Sequence, residues 1–245
     1  KVLQDHPEYA RQTLECYERS FSAGEGYKKS NSDVLATFIN DEEIIEEGYI
    51  FSEDTVVTEY VAEKENGGNY PDLLNKDATE YFIKTTHEKY TLNDNITAVF
   101  TDEPKAPAGA FNKELAEKYE SLYGESILPH LPLIAEKVAP TKENAYIIHR
   151  WYDLCSRMFC DKFMLPCKEW ANAHGMAFTG HMDKDHDPLG CMNGGGNFNL
   201  MRALRCFDIP GVDIIWRQLY PENRVTSVDD MNAYNGFFPR YASSA

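Results

Sequence analysis

The sequence predicts an α/β fold, specifically a (β/α)8 barrel of the TIM type that is incomplete in this chain. From residue 75 onward, patterns typical of helices alternate with short strand-like runs, an order that builds a parallel sheet with helical crossovers. No G-x-G-x-x-G or Walker A motif follows a predicted strand, which disfavours Rossmann and P-loop folds. The length of 245 residues is close to the roughly 250 of a whole barrel, yet only about three βα units are recognisable. We therefore expect either that the N-terminal third contains degraded βα units or that the chain is a piece of a larger protein.

Composition narrows the classes of partner and compartment. The formal net charge of -16 argues against nucleic acids and anionic membranes, because both bind through clustered Lys and Arg. No apolar run approaches the roughly 20 residues of a membrane span. The six cysteines form no C-x-x-C motif and are interpreted as reduced, mostly buried residues. The chain begins at Lys1 rather than Met, which indicates a processed or trimmed N-terminus. Composition does not determine the compartment, and an extracytoplasmic location is favoured.

The first 65 residues are predicted to contain an N-terminal helix followed by a barrel segment or a hairpin excursion. Apolar residues recur every three or four positions over residues 7–21, which favours a helix there. Residues 34–39 and 55–61 are rich in β-branched side chains and are predicted strands. The sequence leaves open whether these two strands run parallel or form a hairpin.

Residues 66–245 are predicted to form the central part of the catalytic barrel. Asn75 is expected to cap a helix that runs to about residue 90, and a buried strand follows at 96–100. Pro104 ends that strand because proline cannot donate a ladder hydrogen bond. The next helix is predicted over 112–123.

The remaining elements follow the same alternation. Thr141 is expected to cap the longest helix, which runs to about residue 174 with a kink at Pro166. A strand at 176–179, a helix at 198–207 and a strand at 212–219 complete the prediction.

Polar side chains follow three of these predicted strands, where barrels and open parallel sheets place their chemistry. Asp102 and Glu103 follow the first, His181 and Asp183 follow the second, and Asp213, Trp216 and Tyr220 belong to the third. Together they would form a cup of carboxylates, an imidazole and an indole that suits a polyhydroxylated carbohydrate. Glu103 is the predicted general acid, since a carboxyl between apolar strands can hold a proton near neutral pH. Asp102 is its expected support, and Trp216 the expected sugar platform.

A second interpretation of the same region is a metal site. His181, Asp183, Asp185 and His186 form the pattern H-x-D-x-D-H, whose side chains could ligate a divalent ion. This pattern leaves open a metal-dependent hydrolase that uses His181, Asp183 and His186. A non-catalytic carbohydrate-binding barrel is the third hypothesis.

Several short stretches occur in a specific order between residues 66 and 245. They are the run from Tyr70 to Tyr90, F-T-D-E-P at 100–104, E-W-A-N-A-H-G at 169–175, T-G-H at 179–181 and D-I-P-G-V-D at 208–213. Their order and spacing resemble the large bacterial glycoside hydrolases related to the α-L-rhamnosidases of glycoside hydrolase family 106, many of which are known only as glycosyl hydrolases by similarity.

The resemblance implies an O-glycosyl hydrolase whose catalytic barrel lies inside a longer chain with β-sandwich domains. It implies Glu103 as the catalytic acid at the end of the fourth barrel strand, with His181 and the Trp216 region lining the sugar subsite. It also implies calcium dependence and an inverting mechanism, although no calcium ligand can be matched to a particular residue. The sugar and its linkage are not revealed.

The second carboxylate that glycosidases need is expected beyond Ala245. In the family that the chain resembles, a run of small residues like that at 241–245 precedes a strand bearing Ser-Glu. Within the chain, Asp183, Asp213 and Glu222 are the alternatives.

Overall fold

The computed structural model describes residues 1–89, 95–104, 109–136, 141–185, 198–213 and 238–245. The strands in these ranges are β1 (Gln12–Phe21), β2 (Val34–Ile39), β3 (Glu43–Ile45), β4 (Thr55–Lys64), β5 (Ala98–Asp102), β6 (Ala177–His181) and β7 (Ile209–Pro210). The α-helices are α1 (Val2–Asp5), α2 (Lys76–Thr85), α3 (Lys113–Tyr123), α4 (Leu131–Glu136), α5 (Lys142–Phe159), α6 (Leu165–Ala173), α7 (Leu200–Leu204) and α8 (Phe238–Ser244). Short 3-10 turns and one π-turn connect some of them. None of the helices described is both long and apolar enough to cross a membrane.

The predicted (β/α)8 barrel is wrong. In the described ranges, seven strands form two separate sheets, an antiparallel one in the order β1-β4-β2-β3 and a parallel one in the order β5-β6-β7. A TIM barrel needs eight parallel strands closed on one another. The first four strands pair antiparallel instead, so they contribute no βα unit to such a ring. The fold is therefore a mixed α/β arrangement.

The chain divides into two compact units. The first comprises Lys1–Asp5, Asp72–Ala108 and Cys155–Ala245, and the second comprises His6–Pro71 and Gly109–Leu154. The parallel sheet belongs to the first unit and the antiparallel sheet to the second.

The second unit contains the main error in the predicted secondary structure. Residues 12–21 form a strand, not the predicted helix, and pair with β4 over ten positions from Gln12 opposite Lys64 to Phe21 opposite Thr55. The apolar spacing in this segment suits both structures, but Thr, Tyr and Phe favour strands when a partner strand is present. The predicted strands at 34–39 and 55–61 are confirmed, and they pair antiparallel.

Two sets of buried side chains hold the second unit together. Tyr27, Ile45, Phe51 and Val57 form a core cluster in which Phe21, Ile39 and Tyr49 take part. Around α3 and α5, the Trp151 ring stacks on Phe111 with centroids 5.6 Å apart and lies 6.2 Å from Tyr119. All three of these aromatic side chains are almost fully buried.

A buried carboxylate also fixes the second unit. Glu59 on β4 is inaccessible to solvent, and its Oε1 accepts hydrogen bonds from Arg19, Tyr27 and the Ser30 amide at 2.6, 2.8 and 3.1 Å. Burial raises the pKa of Glu59, but these donors outweigh it and the net pKa is lowered. Burial, together with the bond to Glu59, raises the pKa of Tyr27 to about 12.

In the first unit, α2 begins where predicted and ends at Thr85, before the predicted end near residue 90. Asn75 caps α2 by accepting the amides of Asp77 and Ala78. From Cys155 onward, helical backbone continues through a π-turn at Cys160–Met164 into α6, so the irregularity expected at Pro166 lies in the turn just before it. The chain leaves α6 at Gly175, which has a positive φ.

The parallel sheet of the first unit confirms the predicted parallel order. β5 pairs with β6 from Ala98 opposite Ala177 to Asp102 opposite His181, and β6 pairs with β7 at Ile209 and Pro210. The predicted strand at 212–219 falls mostly outside the described residues, and the two positions that are described are not in a strand. The carboxyl ends of β5, β6 and β7 therefore meet at one edge of the sheet.

Candidate functional site

The end of β5 presents two acids to solvent. The predicted buried strand is only half-buried, since Phe100 is 62% exposed, and the Asp102 side chain is 77% exposed. Glu103 is also exposed and has a φ of 44°. A non-glycine residue in this left-handed region costs roughly 1–2 kcal/mol and is concentrated at functional sites. This backbone turn places Glu103 at the edge of the sheet, where its side chain is exposed and not enclosed between apolar strands as predicted.

His181 ends β6 directly opposite Asp102. Its side chain is nine-tenths buried, and Nε2 lies 2.8 Å from Oδ1 of Asp102. An ionised carboxylate can only accept a hydrogen bond, so we assign the ring hydrogen to Nε2. Asp102 thereby orients the imidazole, which gives its predicted supporting role a specific partner.

The loops after β6 and β7 are joined by a second acid. Asp185 is 2% exposed, and its Oδ2 lies 3.6 Å from Nδ1 of His181. The same Oδ2 accepts a hydrogen bond from the backbone amide of Asp213 at 2.6 Å. Asp185 therefore anchors the segment that carries Asp213 beside the imidazole.

Two glycines allow these strands to approach so closely. Gly180 has a φ of 152°, and a Cβ at this position would lie 2.1 Å from the carbonyl oxygen of Thr101 on β5. A Cβ at Gly211 would lie 2.8 Å from the carbonyl oxygen of Gly180, which accepts the Gly211 amide at 2.9 Å. Only glycine fits this edge without a backbone shift.

The outcome is a compact group of three side chains whose donor atoms could bind one ion. A ring nitrogen of His181 and carboxylate oxygens of Glu103 and Asp213 all lie within 4.8 Å of one another. Chemically, this group offers two carboxyl groups for acid, base or nucleophile roles and one oriented imidazole. It also offers the donor atoms of a cation site.

Of the predicted site residues not yet placed, the structure describes Asp183. Asp183 is partly buried in the turn after His181 and is not a member of the three-residue group. His186, Trp216, Tyr220 and Glu222 lie outside the described residues.

Phe100 is a candidate that sequence reasoning missed. Its exposed ring lies 5.9 Å from the His181 ring, centroid to centroid, and presents an apolar surface beside the three-residue group. Apart from Thr97 the run 96–100 is apolar, so nothing in the sequence distinguishes an exposed Phe100 from a core residue.

The calcium ion implied by the family resemblance does not fit this group. Calcium takes six to eight oxygen ligands, whereas one of the three side chains here offers a nitrogen.

Two comparisons with known proteins find no relative of this chain. No protein-family model matches the chain, and a search of curated proteins finds no match. The resemblance to the α-L-rhamnosidase-related hydrolases therefore stays a prediction.

Proposed function

We propose that this chain carries the catalytic acid of a glycoside hydrolase, with Glu103 protonating the oxygen of the departing group. The observation that carries the proposal is the close approach of the carboxylate oxygens of Glu103 and Asp213 beside His181. Glycosidases use a pair of carboxyl groups flanking the scissile bond. Asp213, one of the in-chain alternatives to a carboxylate beyond Ala245, supplies such a partner for Glu103.

The geometry favours one of the two stereochemical courses. Carboxyl groups lie about 5–5.5 Å apart in retaining glycosidases and about 6.5–9.5 Å apart in inverting ones. The oxygens of Glu103 and Asp213 lie within 4.8 Å of each other, which is too close for the inverting range and nearer to the retaining one, so Asp213 is the proposed nucleophile that attacks the anomeric carbon. Water would then release the sugar, with Glu103 accepting a proton from it. This differs from the inverting mechanism that the family resemblance implies.

The neighbouring residues have supporting roles in this proposal. Asp102 holds the His181 ring, which can hydrogen-bond a substrate hydroxyl. The exposed Phe100 ring offers an apolar face on which a sugar ring can stack. The acidic surface charge suits a neutral glycan better than a polyanion.

The test compares substrates whose leaving groups need acid assistance to different degrees. On a panel of aryl glycosides that includes α-L-rhamnosides, Glu103→Gln should lower the rate on phenyl glycosides by about 10²–10⁴-fold. The dinitrophenolate leaving group needs no protonation, so the rate of Glu103→Gln on dinitrophenyl glycosides should fall much less. Glu169→Gln, an exposed carboxylate on α6, is the matched control. Equal losses on both classes, or wild-type rates on phenyl glycosides, would remove Glu103 from the acid role.

The stereochemical course is tested separately. Proton NMR of the first-formed sugar should show the anomeric configuration of the substrate. An inverted product would exclude Asp213 as nucleophile and would leave the partner carboxylate to be found elsewhere.

A further inference from the structure

The group formed by Glu103, His181 and Asp213 has the dimensions of a cation site. Its three donor atoms lie within 4.8 Å of one another. Ligands at about 2.0–2.2 Å from a tetrahedral ion are separated by roughly 3–4 Å, so a small adjustment would bring all three onto one ion. Three protein ligands with an open fourth position are the arrangement of catalytic zinc sites.

The hydrogen bonding of His181 supplies a second, independent observation. With the hydrogen on Nε2 directed at Asp102, the neutral tautomer of the ring, which is the form that ligates metals, carries its lone pair on Nδ1. Nδ1 is buried and has no hydrogen-bond partner among the described residues. The Oδ2 atom of Asp185, 3.6 Å away, already accepts the Asp213 amide. A buried lone pair beside a carboxylate lacks a positive partner, which a cation would supply.

The contact between Asp102 and His181 is also typical of metal sites. Metal-ligating histidines almost always donate their second ring N–H to a carboxylate, a carbonyl or water, which fixes the tautomer and raises the basicity of the ligand. Here that carboxylate is in place at 2.8 Å.

We propose that Glu103, His181 and Asp213 bind a first-row divalent transition-metal ion, with Zn²⁺ as the best match. One imidazole and two carboxylates form a mixed nitrogen and oxygen set, and imidazole favours zinc and its neighbours over calcium or magnesium. Asp102 is a positioning residue of this site, because it touches the imidazole rather than the ion.

The metal site has a consequence that rests on the proposed glycosidase function. An ion ligated by Glu103 holds that carboxylate deprotonated, so it cannot donate a proton to a leaving group. Zinc would therefore inhibit hydrolysis, and chelation would restore it.

The test measures binding directly, without reference to activity. The chelator-treated chain is titrated with Zn²⁺ by calorimetry and with Co²⁺ by visible absorption. We expect one equivalent to bind, with affinity lowered at least tenfold in Glu103→Gln and in Asp213→Asn. Asp102→Asn should weaken binding by about 10–100-fold. Glu169→Gln should bind as wild type does, and Ca²⁺ should not compete.

Two further measurements distinguish metal binding at this site from metal binding by a cysteine. Cys16 is exposed, so Cys16→Ser should leave the affinity unchanged. The cobalt spectrum should lack the near-ultraviolet band of thiolate coordination. Because Glu103 is exposed, Glu103→Gln leaves the core intact, and circular dichroism checks this.

Each outcome bears on one proposal. Unchanged zinc affinity in both Glu103→Gln and Asp213→Asn, or the absence of 1:1 binding, overturns the metal site whatever the activity. Metal binding in a chain that hydrolyses no glycoside supports the site and overturns only the glycosidase proposal. Hydrolysis that is unaffected by saturating zinc overturns the inhibition.

Discussion

Single residues determine how closely the strands of the candidate site approach. Gly180 lies where β6 passes the Thr101 carbonyl oxygen of β5, and a side chain there would overlap that backbone atom. The same glycine contributes the carbonyl oxygen that holds Gly211. The positions of His181 and Asp213 therefore depend on a residue that carries no functional group.

Gly180→Ala should destabilise the protein by more than about 3 kcal/mol, because the new Cβ would meet a backbone atom that cannot rotate away. Gly175→Ala is the matched control, since Gly175 also has a positive φ but lies in open space. Its cost should be about 1 kcal/mol, the ordinary penalty of that backbone conformation. Urea unfolding of both variants measures the difference in the free energy of unfolding. Equal losses of stability would show that the close approach of the strands at Gly180 does not restrict the side chain there.

Glu59 determines a pH dependence in the second unit. Its pKa is lowered from 4.5 in the folded state, so its contribution to stability is present above that value and is lost as the pH falls through the lower folded pKa. Glu59→Gln should cost about 1–3 kcal/mol at pH 7, because charge-assisted bonds are lost. The difference from wild type should shrink below about pH 4.5.

Chemical denaturation at a series of pH values from 3 to 8, in steps of about one pH unit, measures this dependence. Glu18→Gln, an exposed carboxylate on β1, should show no comparable change. A constant difference between Glu59→Gln and wild type across the range would contradict the assignment.

At the scale of secondary-structure elements, Asp208 joins three elements of the first unit. Its Oδ2 accepts the Phe178 amide of β6 at 2.9 Å, and its Oδ1 lies 2.9 Å from Nζ of Lys168 on α6. Asp208 itself directly precedes β7. Burial raises its pKa, but the Phe178 amide and the Lys168 ammonium outweigh this and lower it.

Asp208→Ala should destabilise the protein by about 1–3 kcal/mol, because the Phe178 amide loses its acceptor. Asp208→Asn keeps an acceptor oxygen and loses only the ion pair, so it should cost less. Thermal or urea unfolding of the two variants tests this order. If Asn proves as costly as Ala, the ion pair rather than the amide bond is the important contact.

The elements also show where local sequence patterns suffice. The cap of α2 and the apolar face of α3 act over short stretches of chain, so Asn75 is the predicted cap of α2 and the predicted start of α3 at 112 coincides with its cap, Asn112. β1 was assigned wrongly because its identity depends on a partner more than thirty residues away, namely β4. Spacing along one segment carries no information about such pairing.

At the scale of the whole molecule, the acidic charge has a direct consequence for association. With a net charge of -16, the chain should not bind duplex DNA or phosphatidylserine vesicles at about 0.15 M salt. Binding to either polyanionic surface requires clustered Lys and Arg side chains that release its bound counterions, and an acidic chain is repelled instead. Gel shift and vesicle sedimentation measure this, with a basic protein as positive control. Retention by either partner would reveal a local basic surface that the net charge conceals.

The sequence by itself determined the acidic character, the parallel relation of β5 and β6, and the presence of Asp102, Glu103 and His181 at strand ends. Those properties follow from composition and from patterns within single segments. Only the tertiary structure decided that the sheets do not form a barrel, that Asp102 holds His181, and that Asp213 approaches Glu103. These depend on strand pairing and on contacts between residues about 30 to 110 positions apart, which no local pattern encodes.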